Sequence, residues 1–76
     1  MTKQELLTLK PGDKVKQLCS IVRNKGQKIY RDAEIIQVTE GISDCTHTVR
    51  ADIKYHSEEF GEIVMYAVPP YELEFE

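Results

Sequence analysis

Polar and apolar residues alternate over residues 45–56, the clearest period-two pattern in the chain. The positions of one parity are Cys45, His47, Val49, Ala51, Ile53 and Tyr55. Polar or charged residues occupy the positions between them. Because successive side chains of a β-strand point to opposite faces, this pattern predicts a strand with one buried face.

Four other segments carry strand patterns. Residues 15–22 alternate imperfectly, which predicts a strand with a bulge near Gln17, and residues 28–38 predict a second strand. Residues 62–68 are apolar at both parities, which predicts a strand that is central or covered on both faces. Residues 71–75 alternate apolar side chains with glutamates and predict a last strand that faces its acidic residues to solvent.

The first ten residues carry helix signals. Thr2 and Glu5 have the spacing of a capping box, and Leu6 and Leu9 lie on one face of the predicted helix. Pro11 opposes helical geometry at the residue before it and ends this segment. We therefore expect a single domain over residues 1–76, with a short helix in residues 1–10 and a small all-β barrel in residues 13–76.

Two segments resemble those of a known fold. The sequence LKPGDKV at residues 9–15 resembles the entry into the first strand of small SH3-like barrels, including KOW-type and related bacterial and phage modules. The sequence VPPYELE at residues 68–74 is similar to their end, where a short turn precedes a final strand. The resemblance implies a five-stranded SH3-like barrel. Such barrels bind peptides, RNA, DNA or other domains.

Composition narrows the class of protein further. No apolar run approaches the roughly 20 residues of a membrane helix. Residues 1–10 contain no apolar stretch flanked by a small-residue cleavage site, so we do not expect secretion. We therefore expect a cytoplasmic protein, either a monomer or a homodimer. The leading hypothesis is a non-enzymatic protein-interaction module, a small phage or mobile-element protein that binds a host or complex component.

Charge is unevenly distributed along the chain, although the net charge is only −3. Residues 1–31 carry eight lysines and arginines against two carboxylates, and residues 32–76 carry two cations against eleven carboxylates. Such asymmetry is typical of an interaction surface. The alternative is that both halves interleave in one sheet and the charges pair across strands.

The acidic half contains the candidate protein-binding residues. These are Glu58, Glu59, Glu62, Tyr66 and Tyr71. The glutamates would present carboxylates to a basic partner, and the tyrosines are of the residue type enriched in interface cores. The alternative is a solubilising edge that deters strand addition.

The basic half supports a second hypothesis, a nucleic-acid-binding module that uses the hairpin at residues 23–31. Its cations would follow a phosphate backbone, and its tyrosine would stack on a base. The candidate residues are Lys14, Lys16, Arg23, Lys25, Lys28, Tyr30 and Arg31. The alternative is a solvated hairpin whose turn lies at residues 24–26.

The remaining chemistry-bearing residues form no recognised motif. Cys19 and Cys45 lack a CxxC pair, and neither they nor His47 and His56 have the spacing of a zinc site. We expect free cysteines, histidines at the surface or rim, no metal and no cofactor. The sequence contains no phosphate-binding loop and no catalytic triad motif, so we do not expect an enzyme.

Overall fold

The computed structural model describes residues 1–22 and 26–76. Within these ranges it contains one five-stranded antiparallel sheet, which confirms the all-β expectation. None of the helices in these ranges is long and apolar enough to cross a membrane. The elements in chain order are helix α1 (Lys3–Leu7), strands β1 (Lys14–Val22), β2 (Gln27–Ser43), β3 (Thr46–Ser57) and β4 (Gly61–Val68), a 3₁₀ turn (Pro70–Glu72) and strand β5 (Leu73–Phe75).

The sheet is open. The strand order is β4-β3-β2-β1-β5, with β4 at one edge and β5 at the other, so the described residues do not close into the expected barrel. The prediction that residues 62–68 form a central or covered strand is wrong. On the outer face of β4, Val64 is 38% exposed and Tyr66 is 76% exposed. An apolar run shows that a strand has apolar side chains on both faces, but it does not show what covers each face.

Helix α1 covers part of the core. The predicted capping box is present, because the Thr2 hydroxyl accepts from the N–H of Glu5 and the Glu5 carboxylate accepts from the N–H of Thr2. Leu6 is fully buried and packs with the core residues of the sheet. At the predicted turn after the helix, Gly12 has a φ of +95° and donates its N–H to the Ile35 carbonyl at 2.8 Å.

The inward parity predicted for β3 is confirmed at its centre, where Val49, Ala51 and Ile53 are fully buried. His47 is half-buried at one end of the strand, while Cys45 lies in the preceding turn and is exposed. The alternating pattern is therefore longer than the part of the strand that the core covers. The buried apolar residues are Leu6, Val15, Ala33, Ile35, Val49, Ala51, Ile53, Val68 and Leu73.

Three register shifts bend the sheet. The bulge expected near Gln17 lies one step further along β1, between Leu18 and Ser20. A second shift lies in β2 between Ile35 and Gln37, and a third lies between β3 and β4. Bulges increase the local twist of a strand. Strand β2 itself runs from residue 27 to residue 43, well beyond the predicted residues 28–38.

Strand β5 is short but well anchored. It pairs with β1 through Leu73, Glu74 and Phe75, and Leu73 is fully buried. The amino group of Met1 donates to the carbonyl oxygens of Pro70 and Leu73 at 3.1 and 2.6 Å. These hydrogen bonds join the 3₁₀ turn and β5 to Met1.

Candidate functional site

The hairpin between β3 and β4 carries an acidic tip. Glu58 and Glu59 lie in its turn and are exposed, followed by Phe60, which is 77% exposed. The backbone N–H of Phe60 donates to the Ser57 hydroxyl at 3.3 Å, and Gly61 leaves the turn with a φ of +77°. A positive φ is accessible to glycine without steric strain. The turn therefore presents two carboxylates and an aromatic ring beside the start of β4.

The register with β3 fixes which side chains of β4 share a face. Glu62 lies opposite His56, and Val64 lies opposite Lys54. Because cross-strand partners and alternate residues share a face, Glu62, Val64 and Tyr66 form one row on the outer face of the sheet. The row on the opposite face contains Ile63 and Met65, which are half-buried.

The other long side of β4 has no strand partner among the described residues. The strand is eight residues long, contains neither lysine nor proline, and has Glu62 as its one charged residue. We use the name β4 edge surface for three neighbouring features: this unpaired side, the outer-face side chains of β4 and the hairpin tip. Its side chains are those of Glu58, Glu59, Phe60, Glu62, Val64 and Tyr66. Edge strands present unpaired N–H and C=O groups that can bind another strand.

A charge network lies beside this surface on the outer face of the sheet. The Glu34 carboxylate contacts the ammonium groups of Lys14 at 2.6 Å and Lys54 at 3.2 Å, and Lys54 also lies 3.6 Å from Glu62. Hydrogen bonds from Lys14 and then from Lys54 lower the pKa of Glu34, and the hydrogen bond to Glu34 raises the pKa of Lys54. The network neutralises the centre of this face.

The hairpin tip is not neutralised in the same way. Within residues 1–22 and 26–76, no lysine, arginine or histidine lies within ion-pair distance of Glu58 or Glu59. Glu62 shares Lys54 with Glu34 and keeps 65% of its side chain exposed. The hairpin end of the β4 edge surface is therefore acidic.

An open concavity of about 410 Å³ borders β4 on the outer face. Its lining includes the Glu34 network, His56 and Glu62. No described residue forms a hydrogen bond to the His56 ring. This concavity provides a polar border to the β4 edge surface.

The structure brings together four of the five candidate protein-binding residues. Glu58, Glu59, Glu62 and Tyr66 all lie on the β4 edge surface, whereas Tyr71 lies on the 3₁₀ turn and is 74% exposed. The sequence analysis missed Phe60 and Val64. The signal for Phe60 was a large aromatic residue among turn-forming residues. The exposure of Val64 follows from its position on the outer face of the sheet, which the sequence pattern alone did not show to be uncovered.

The candidate nucleic-acid-binding residues do not form one free cationic patch in the described part of the chain. Lys14 contacts Glu34 at 2.6 Å, and Lys16 contacts Asp32 at 3.1 Å. These pairs agree with the alternative that the two oppositely charged halves interleave in one sheet. Opposite charges on neighbouring strands attract at close range.

The other residues of that hypothesis lie near the start of β2 or outside the described residues. Lys28 is exposed and Tyr30 is half-buried. The Arg31 guanidinium stacks 4.1 Å from the centre of the Tyr55 ring, an arrangement typical of a cation–π contact. The remaining candidates, Arg23 and Lys25, lie outside the described residues, as does most of the predicted turn at residues 24–26.

The cysteine and histidine side chains lie on strands β1 and β3 and in the turn before β3. Cys19 and Cys45 are free and exposed. The Nε2 atom of His47 lies 3.1 Å from a carboxylate oxygen of Glu40, near the end of the β2–β3 hairpin. Among the described residues, no group of three potential ligands is placed to hold a metal ion.

Comparison of the chain with protein-family models, with curated proteins and with solved structures finds no match. Function is therefore inferred from the residues of this chain.

Proposed function

We propose that this chain is a non-enzymatic protein-interaction module of SH3-like topology that binds its partner through the β4 edge surface. The topology is supported by the antiparallel strand order, in which β5 returns to pair with β1 after a short 3₁₀ turn. An open sheet of this order leaves one long strand, β4, at an edge. The proposed binding role rests on the exposed acidic and aromatic side chains at that edge.

One observation supports the proposal: the acidic turn with Phe60 leads directly into the unpaired strand β4, which carries the exposed Tyr66. Phe60 and Tyr66 are 77% and 76% exposed, and Val64 lies between them in sequence. Single exposed apolar residues are common, whereas several spaced along one unpaired edge can contact the same partner together. Tyrosine and phenylalanine supply large contact areas in the cores of protein interfaces.

A charge-reversal experiment tests the proposal. The immobilised wild-type chain and the double variant Glu58→Lys, Glu59→Lys are used to capture proteins from cells that express the chain naturally. The matched control, Asp44→Lys with Glu72→Lys, makes the same change in net charge away from the β4 edge surface, in the β2–β3 turn and the 3₁₀ turn. Thermal melting of each variant checks that the fold is retained.

We expect one protein to be captured in near-stoichiometric amount by the wild type and by the control. The Glu58 and Glu59 variant should recover on the order of tenfold less, because it places cations where the partner meets carboxylates. The proposal is overturned if no captured protein depends on Glu58 and Glu59, or if the control loses the partner equally.

A further inference from the structure

We infer that the segment bound by the β4 edge surface is an extended, basic peptide segment, added to β4 as a further strand of the sheet. The inference rests on the proposed function and specifies the chemistry of the partner. In strand addition, main-chain hydrogen bonds supply affinity, and contacts to alternate side chains supply specificity.

The backbone of β4 is suited to this mode of binding from Gly61 to Tyr66. At about 3.3 Å per residue, six residues of strand offer an edge roughly 20 Å long. The next residue, Ala67, has a φ of +55°, which ends the regular extended geometry. An added strand would therefore pair with the hairpin-proximal part of β4, next to the acidic tip.

The side chains of β4 define the chemistry of the added strand. On one face it would meet Glu62, Val64 and Tyr66, and on the other face Ile63 and Met65. The central positions of the added strand should therefore be β-branched or apolar. The position opposite Glu62 should be lysine or arginine, because opposite charges on neighbouring strands are favourable.

Charge also decides between a basic segment and a second copy of this chain. A second β4 would bring its own Glu62 and no cation, since the strand contains no lysine or arginine. Its hairpin would add two further carboxylates, Glu58 and Glu59, to an edge that is already acidic. A basic partner segment instead supplies the cations that the tip lacks among the described residues.

A blocked synthetic peptide, Lys-Arg-Thr-Val-Thr-Val-Thr-Lys-Arg, provides a direct probe. Basic residues at both ends allow either strand direction. The first control peptide replaces every lysine and arginine with glutamate. The second control is methylated on alternate backbone nitrogens, which removes hydrogen-bond donors while the charges remain. Binding is followed by amide resonances and hydrogen exchange of the full chain.

We expect the basic peptide to slow exchange on the order of tenfold or more at those β4 amides that point away from β3, because they become hydrogen-bonded. Both control peptides should bind at least tenfold more weakly. Replacing Glu58, Glu59 and Glu62 together with glutamine should weaken binding similarly, while Asp44→Asn with Glu72→Gln should not.

The inference is overturned if the basic peptide does not bind, protects no β4 amide, or binds no better than the methylated peptide. This failure is distinguishable from failure of the proposed function. A partner whose capture depends on Glu58 and Glu59, in the absence of peptide binding, leaves the interaction surface in place and removes strand addition as its mode. Loss of that dependence removes the proposed function itself.

Discussion

The carboxylate of Asp52 on β3 accepts a hydrogen bond from the backbone N–H of Ala67 on β4, at 3.0 Å. The second carboxylate oxygen accepts from the Gln37 side-chain amide at 2.6 Å. Ala67 is the non-glycine residue with a positive φ in the described ranges. Asp52 thus stabilises the irregular backbone at which the straight edge of β4 ends.

We predict that Ala67→Gly increases the free energy of unfolding by roughly 0.5–1 kcal/mol. Left-handed geometry costs a residue with a Cβ about 1–2 kcal/mol, and the greater freedom of glycine in the unfolded chain offsets part of the gain. Urea unfolding followed by circular dichroism measures the difference. Ala67→Val serves as the control and should be destabilising, whereas a loss of stability with glycine would contradict the assigned backbone geometry.

We predict that Asp52→Ala lowers the free energy of unfolding by about 1–2 kcal/mol. Hydrogen bonds to a charged acceptor are among the stronger ones, and this change removes two of them from a half-exposed site. Amide exchange should quicken most at Ala67. Asp52→Asn retains an acceptor oxygen and should lose less, so equal losses for the two variants would argue against a role for this carboxylate.

The ion pairs of Glu34 predict a specific acid sensitivity. The pKa of Glu34 is held below its usual value of 4.5 by Lys14 and Lys54. Its stabilising contribution is therefore present above pH 4.5 and is lost as the pH falls through the lowered pKa. Glu34→Gln should be less stable than the wild type at pH 7, and this deficit should shrink on acidification towards pH 3.

The raised pKa of Lys54 predicts a loss of stability at alkaline pH. Its pKa is raised above 10.5, first by the hydrogen bond to Glu34, so its contribution is present below pH 10.5 and is lost as the pH rises through the raised value. Unfolding curves at several pH values measure the loss of stability at both the acidic and the alkaline end. Asp44→Asn, in the β2–β3 turn and outside the network, is the control. A Glu34→Gln deficit that stays constant from pH 7 to pH 3 would contradict this prediction.

Gln17 is a polar side chain within the core face of β1. It is 3% exposed, its amide nitrogen donates to the Leu18 carbonyl at 2.7 Å, and its Oε1 atom has no hydrogen-bond partner among the described residues. Burial of an unsatisfied polar atom costs about 1–3 kcal/mol. Gln17→Met keeps a similar shape, and we expect it to raise the free energy of unfolding by about 1 kcal/mol. A marked destabilisation in urea unfolding would show that the amide has a stabilising role.

Some elements of the fold follow directly from local sequence. The alternation around Val49, Ala51 and Ile53 predicts the buried face of β3 because side-chain direction has a fixed period of two. The spacing of Thr2 and Glu5 predicts the helix start because both capping hydrogen bonds are local. Neither feature depends on how distant strands are arranged.

Features set by strand order are less accessible from the sequence. The edge position of β4 depends on whether the sheet closes, and the pairing of Lys14 with Glu34 depends on the register between β1 and β2. For the same reason, the sequence predicts Glu58, Glu59 and Tyr66 as candidate binding residues from their residue types, but it does not predict that they lie at one edge of the sheet. The strand order determines that edge.

Photo-cross-linking from the β4 edge surface tests the proposed interaction most directly. A benzophenone amino acid replaces Tyr66 in one variant and Tyr71 in another, since both side chains are about three-quarters exposed but lie on different elements. Illumination in the native cells should yield a discrete adduct with one protein from position 66 and little from position 71. Adducts from position 71 alone, or from neither position, would contradict binding through the β4 edge surface.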